Sequence, residues 1–298
     1  MTTLPQAVAA GPVVLDGGLA TLLEARGNDL TSDLWSARLL LDDPDEIVAA
    51  HREYFQAGAQ VAITGSYQAS YEGFARLGLS RAESEAALLA SVACAVRARD
   101  QFDDGSPRWV AASIGPYGAV LADGSEYRGD YGRTATELYE WHRPRFEVLA
   151  RSGADVLAFE TVPAMVEVEA IVRLLDGTGL RAWISLTAED GRTRAGEPIE
   201  DAFALAASIP EVFAVGVNCC PAPQVAGLAA AASATGKSVV VYPNSGEVWD
   251  GVTRSWSGDP TFTATEVESW TAAGASLIGG CCRVGPAQIS ALASALRN

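Results

Sequence analysis

Short, almost continuous runs of apolar and β-branched residues recur along the chain, at Val13-Leu15, Val61-Thr64, Trp109-Ile114, Val156-Phe159, Ala182-Leu186, Phe213-Val217, Ser238-Tyr242 and Ser276-Ile278. Stretches with helical spacing of apolar positions fall between them or close the chain, at Glu46-Ala57, Arg81-Arg99, Thr136-Ala150, Val166-Leu175, Ala202-Ala207, Gln224-Ala232, Glu266-Ala272 and Pro286-Leu296. A run apolar at every position belongs to a strand covered on both faces, and strands alternating with helices pair in parallel. Eight such units in 298 residues predict a closed (β/α)8 TIM barrel, an α/β fold forming one domain over residues 1–298. A doubly wound open sheet is the alternative. The turn after the first strand, Asp16-Gly17-Gly18-Leu19-Ala20-Thr21, has neither the GxGxxG nor the Walker pattern that would favour it.

Chemically unusual residues collect at the C-terminal ends of these strands. Asp16-Gly17-Gly18 follows the first, Thr64 to Ser70 ends the second, and Gly115-Pro116-Tyr117-Gly118 follows the third. Glu160-Thr161-Val162-Pro163 closes the fourth, Asn218-Cys219 the sixth, Tyr242 to Glu247 the seventh and Gly279 to Arg283 the eighth. In a barrel these ends share one rim, where active sites of the fold lie. The stretches Gly118 to Arg133 and Ser245 to Asp259 are too long for plain connections and read as lids or binding loops.

Four of the five cysteines sit on that rim, in Asn218-Cys219-Cys220-Pro221 and Gly279-Gly280-Cys281-Cys282-Arg283. The glycines free the backbone to turn sharply, so the two thiols need not face opposite ways. Thiolates select soft or borderline metals, and catalytic zinc takes three protein ligands with an open fourth position. Cys281, Cys282 and one of Cys219 or Cys220 make such a set. The plainer alternatives are gap-filling buried thiols or a strained disulfide between neighbours. The sixth and eighth strands are separated by one neighbour, which puts their ends about 10 Å apart, within side-chain reach of a shared ion. Cys94 lies in an Ala-rich helical pattern and is expected in the core.

The formal charge of −16, from 37 acidic and 21 basic residues, disfavours nucleic acid and anionic lipid as partners. The first dozen residues lack a secretory pattern, no run is long and apolar enough to span a bilayer, and five clustered cysteines are no disulfide framework. A cytoplasmic protein is expected.

Taken together, seven segments in order resemble the homocysteine S-methyltransferase family: Asp16-Gly17-Gly18, Tyr67-Gln68-Ala69-Ser70, Gly115 to Tyr131, Glu160-Thr161, Asn218-Cys219, Tyr242 to Glu247 and Gly279 to Arg283. The resemblance covers nearly the whole chain. It implies a zinc-dependent enzyme that methylates L-homocysteine to L-methionine, with Cys219, Cys281 and Cys282 as zinc ligands and Cys220 beside them. The Asp16-Gly17-Gly18 turn offers backbone N–H groups to the homocysteine carboxylate, and Glu160 a charge-assisted partner to its ammonium, roles the resemblance shares. The plain alternatives are a helix N-cap for Asp16 and a structural ion pair for Glu160. Tyr67 packs, caps the metal or borders the donor; Asn244 and Glu247 face the ligands, and Trp249 and Asp250 pack in a lid. For Glu126, Tyr127 and Arg128 a solvated loop is expected, with donor contact as the lesser reading. His51 and His142 fall in helical patterns away from the strand ends.

The resemblance also bears on the donor. The chain ends sixteen residues after Cys282, without the long extension of betaine-using oligomeric relatives or cobalamin and folate modules. A monomer using a sulfonium is therefore expected, S-methylmethionine before S-adenosylmethionine. Within the family, a selenocysteine-methylating or betaine-dependent enzyme is the alternative; outside it, a non-catalytic zinc or thiol sensor on the same barrel. A zinc hydrolase is disfavoured, because three thiolates leave zinc a poor Lewis acid for water.

Overall fold

The computed structural model describes residues 2–28, 36–102, 104–250 and 255–297. Eight parallel strands form the barrel: β1 (Val13–Val14), β2 (Val61–Ile63), β3 (Trp109–Ile114), β4 (Val156–Val162), β5 (Ala182–Leu186), β6 (Val212–Asn218), β7 (Ser238–Tyr242) and β8 (Ala275–Ile278). From β2 to β8 each pairs with its successor, and β8 pairs with β1 through Val13↔Leu277 and Val14↔Ile278. The last gap, between β1 and β2, closes by a parallel bridge from Leu15 to Val61 and by the Asp16 N–H on the Val61 carbonyl at 3.1 Å. A closed barrel leaves no sheet edge, so the open-sheet alternative is excluded.

The apolar residues divide into two sets. Leu15, Val61, Trp109, Ala111, Ala158, Trp183, Val240 and Leu277 fill the barrel interior, while a larger set packs strands against the surrounding helices. Trp183 is fully buried, and truncating it to alanine would cost about 3–5 kcal/mol. Leu4–Ala10 is a helix that the sequence pattern had not predicted, started by a Thr3/Gln6 capping box. Its Leu4 and Val8 close the bottom of the interior, and the Trp109 indole donates to the Thr2 carbonyl at 3.1 Å. Seven residues with two buried positions, Leu4 and Val8, are too few to stand out as a periodicity.

The helices Pro44–Ala57, Arg81–Asp100, Ala135–Ala150, Met165–Leu175, Ile199–Ala206, Val225–Ser233, Val267–Ala272 and Pro286–Ala295 match the eight expected ones within a few residues. The strands that differ matter more. β4 continues through Glu160 and Thr161 to Val162, with an irregularity in its pairing to β5 between Phe159 and Val162. Glu160 therefore lies inside a bulged strand end, not in the loop after it. The Gly118 to Arg133 stretch is also ordered, holding part of the helix Tyr117–Leu121 and a 3-10 turn at Ser125–Tyr127. The Ser245 to Asp259 stretch contains a hairpin of Val248–Asp250 with Ser255–Ser257. Residues 251–254 and the expected lid packing of Trp249 and Asp250 lie outside what is described.

Candidate metal and substrate site

The ends of β6 and β8 bring Cys219, Cys281 and Cys282 together, every pair of their Sγ atoms lying within 4.8 Å. Among the described residues this is the one such group of potential metal ligands. Cys219 and Cys281 touch through their sulfurs, with Cα atoms 5.7 Å apart, within disulfide-bonding reach across two strands; Cys281 and Cys282 sulfurs are 4.0 Å apart. Cys220 points instead into the packing behind β6, where burial pushes its thiol up to about 12. Cys94 is buried, as expected, with its sulfur 3.5 Å from the Pro44 carbonyl.

Hydrogen bonds through β7 hold the two cysteine turns. The Cys219 N–H donates to the Tyr242 carbonyl at 3.2 Å and the Cys281 N–H to the Pro243 carbonyl at 2.7 Å. Asn244 joins the two turns, its N–H on the Cys220 carbonyl and its Oδ1 accepting the Cys282 N–H, both at 3.1 Å. Its amide oxygen thus helps to fix a cysteine.

The glycines before the cysteines serve close approach. A Cβ on Gly279 would lie 2.6 Å from the Leu15 Cβ, and one on Gly280 would overlap the Val284 side chain. Left-handed backbone is taken instead by Arg283 at φ 66° and Cys219 at φ 48°, with Thr161 at φ 60° on β4. Each such residue costs about 1–3 kcal/mol and persists only where its surroundings hold it. For Thr161 the holder is Asn218, whose Oδ1 accepts the Thr161 N–H at 2.6 Å and whose Nδ2 donates to the Thr161 hydroxyl at 2.7 Å.

Asp16 is buried but caps no helix: Gly18 precedes the helix Leu19–Ala25 without a side-chain cap. Its Oδ2 accepts the Ile63 N–H at 2.9 Å, and its Oδ1 has no partner. Desolvation, with help from the charge of Glu160, raises its pKa well above the ordinary value. Glu160 accepts a hydrogen bond from the Ser113 hydroxyl, and burial pushes it up to about 7. Two carboxyls raised chiefly by burial, the charge of Glu160 adding to the effect on Asp16, would both ionise more readily beside a cation. Among the described residues no basic side chain is an ion-pair partner of Glu160, which speaks against the structural ion-pair alternative. The Gly18 N–H is taken by the Val284 carbonyl at 2.9 Å, whereas the Gly17 N–H bonds to no described residue. A Cβ on Gly18 would lie 2.6 Å from the Cys281 carbonyl oxygen, so that glycine keeps the first and last βα turns in contact. The Tyr54 hydroxyl braces the same contact, 2.8 Å from the Gly18 and 3.1 Å from the Val284 carbonyl oxygens.

Tyr67 is partly buried against Gly115 and accepts a hydrogen bond from Thr161. The stretch expected to be solvated is not. Tyr127 is partly buried and lies near enough to Cys282 for their charges to interact, and the Glu126 Oε2 is buried; only Arg128 of the three is exposed. Glu247 pairs with Arg283 at 3.2 Å, bracing the cysteine turn. His51 and His142 lie in helices as expected, and His142 has a structural task. Its Nδ1 is 3.2 Å from Arg145 Nη2, an obligate donor, so its Nε2 carries the proton and donates to Glu167 at 2.8 Å. Glu167 also accepts the Tyr117 N–H and the Tyr131 hydroxyl, each at 2.7 Å, while Arg145 donates to the Gly115 carbonyl at 2.5 Å. This buried network, which the sequence reading missed, fastens both ends of the segment carrying Glu126 and Tyr127.

The donor set suits a thiophilic dication: burial, with the charge of Glu126, pushes the Cys282 thiol up to about 12, so three ionised sulfurs here need a cation to offset them. Among the described residues no helix is long and apolar enough to cross a membrane.

Comparison with known proteins agrees with this geometry. Residues 13–296 match the family model described as homocysteine S-methyltransferase. The chain is 44% identical to homocysteine S-methyltransferase YbgG of Bacillus subtilis, covering 96% of this chain and 95% of that protein. It is 46% identical to the Escherichia coli homocysteine S-methyltransferase, over 94% of each. The crystal structure of the metallated form of the Escherichia coli homocysteine methyltransferase MmuM superposes with a TM-score of 0.87 at 42% identity, covering 97% of this chain and 99% of that one. An oxidised form of the same protein superposes at 0.85, again at 42% identity, over 95% of each chain.

Proposed function

The chain belongs to the homocysteine S-methyltransferase family, and on that premise we propose that it carries a methyl group from a sulfonium donor to L-homocysteine, giving L-methionine. S-methylmethionine is the proposed donor, with S-adenosylmethionine slower and betaine inactive. Cys219, Cys281 and Cys282 would hold zinc, and the observation that carries this reading is their convergence, sulfurs within 4.8 Å, beside two buried carboxylates. When bound, zinc supplies the positive charge that lets a homocysteine thiol lose its proton at neutral pH.

The residues around the cysteines divide the remaining work. Glu160 and Asp16 receive the substrate ammonium, each gaining the counter-charge that burial denies it. The Gly17 N–H faces the substrate carboxylate, with Gly18 keeping the turn close to the cysteines. Asn244 works by holding Cys282 in place. Tyr67, fixed by Thr161, borders the donor side. The substrate sulfur then forms a bond to the donor's methyl carbon as the sulfonium carbon–sulfur bond breaks. Its electron pair returns to the donor sulfur, which leaves as a neutral thioether. No general acid is required, which suits a rim without histidine.

This reading treats residues 1–298 as a single homocysteine-binding domain working as a monomer. Three thiols kept reduced suit the cytoplasm. The test is zinc-loaded protein with homocysteine and each donor, scored for methionine. Methionine formed from S-methylmethionine is expected; none from any donor would overturn the proposal.

A further inference from the structure

Glu126 is a buried charge at the rim that the reaction above leaves without a task. It sits on the turn Ser125–Tyr127, beside Tyr127, which lies near enough to Cys282 for their charges to interact. Its charge reaches Tyr67, Tyr127 and Cys282, raising the pKa of all three. Yet Glu126 Oε2 is buried and has no hydrogen-bond partner. The neighbouring cation Arg128 is turned away, with Nη2 on the Ser125 hydroxyl at 3.0 Å and Nε toward Asp130 at 3.3 Å. Across the turn, Arg194 faces the Tyr127 ring at 5.8 Å and is engaged by Glu189 and Thr187.

An uncompensated buried carboxylate is costly and relaxes wherever the chain can move. This one cannot move freely. Gly118 is in close contact with it: a Cβ there would lie 2.6 Å from the Glu126 nitrogen and 2.7 Å from the Ser125 carbonyl carbon. On either side, Glu167 holds the Tyr117 N–H and the Tyr131 hydroxyl. Burial, with the charge of Asp123, pushes Glu126 up to about 7, only partly offset by its own backbone N–H and the charge of Arg128, and a carboxyl in that state ionises fully once a further cation lies beside it.

We propose that Glu126 is the counter-charge for the methyl donor, receiving an onium cation between its carboxylate and the rings of Tyr67 and Tyr127, with the transferable methyl toward the cysteines. This rests on the methyltransferase reading and deepens it by assigning donor selectivity to one residue. Asp16 and Glu160 bind the acceptor's ammonium and Glu126 the donor's permanent charge, so each cation has its own carboxylate. The aromatic faces add cation–π attraction but do not distinguish an onium from a neutral group as steeply as a buried carboxylate does.

The test compares S-methylmethionine with its neutral carbon isostere, 2-amino-5-methylhexanoic acid, by calorimetric binding to the zinc-loaded full-length protein and by inhibition. Wild type is expected to prefer the onium by about tenfold or more, the effect of one charge-assisted contact. Glu126→Gln should abolish most of that preference while homocysteine KM and zinc per chain stay unchanged. Glu126→Asp, which keeps the charge but withdraws it, should fall between. An undiminished preference in Glu126→Gln, or no preference in wild type, would overturn the proposal. So would a loss of kcat with donor binding intact, which would mark Glu126 as a base acting on the acceptor. Absence of methyl transfer from every sulfonium would count against the methyltransferase reading, whereas the binding comparison would still decide the role of Glu126.

Discussion

Replacing Glu160 with glutamine should damage substrate binding and stabilise the protein at once. The carboxyl is fully enclosed, takes a hydrogen bond from Ser113 and has no cationic partner; burial moves it from an ordinary 4.5 to about 7. At 1.36 kcal/mol per pH unit, ionising it in the folded chain costs about 3 kcal/mol. The sign follows from linkage. An acid whose folded pKa is raised holds its proton longer in the native state, so stability falls as pH rises from about 4.5 to about 7 and is flat beyond. Glu160→Gln removes that loss. Thermal unfolding without substrate should therefore show little gain at pH 5 and a gain of several degrees at pH 8, taking about 2 °C per kcal/mol for a domain of this size. Over the same range homocysteine KM should rise about tenfold or more, because a charge-assisted hydrogen bond to the substrate ammonium is replaced by a neutral one, worth about 1.5–3 kcal/mol. A variant that is less stable at pH 8, or one that binds homocysteine as well as wild type, would refute the reasoning.

Elemental analysis of serine variants should show zinc lost in Cys219→Ser, Cys281→Ser and Cys282→Ser but retained in Cys220→Ser, whose thiol lies in the packing behind β6. Gly18→Ala should lower stability by about 1–3 kcal/mol and weaken zinc retention, since its Cβ would press on the Cys281 carbonyl; denaturant titration and zinc content would measure both. Glu167→Ala leaves the buried His142 N–H and the Tyr131 hydroxyl without their acceptor and the buried Arg145 without the charge that favours it, and should cost about 3–5 kcal/mol, read by the same titration, with KM for the donor raised in any folded fraction. In competition for limiting homocysteine, label should pass mainly from S-methylmethionine, less from S-adenosylmethionine and hardly from betaine.

The barrel was legible because its strands are apolar on both faces, which only covered parallel strands require; every one of the eight was visible as a run. The rim residues were legible because chemistry placed at strand ends interrupts those runs. What escaped was whatever depends on a partner distant in sequence. Glu167 reads as one of several acids on an amphipathic helix, and nothing local says that it meets Tyr117, Tyr131 and His142. Glu126 and Tyr127 stand among glycines and aspartates, so polarity suggested solvent, although a connection of that length was itself a signal of a built loop. The bulge at Glu160-Thr161 was hidden because a β-branched residue gives no hint of left-handed backbone. Only the bracket from Asn218 makes it tenable.

The contact between the first and last turns bears on how the molecule is assembled. Cys219 and Cys281 are separated by 62 positions, and the second cysteine turn takes its shape from strands that meet only once β8 has inserted between β7 and β1. Gly280 donates to the Asp16 carbonyl and Gly18 to the Val284 carbonyl, so the N-terminal turn belongs to the same cage. An ion bound by all three sulfurs is consequently a clasp. It discriminates between the shut ring and every partly threaded intermediate, drawing the equilibrium toward completion, and a chain stalled before its final strand would have no means of holding the ion.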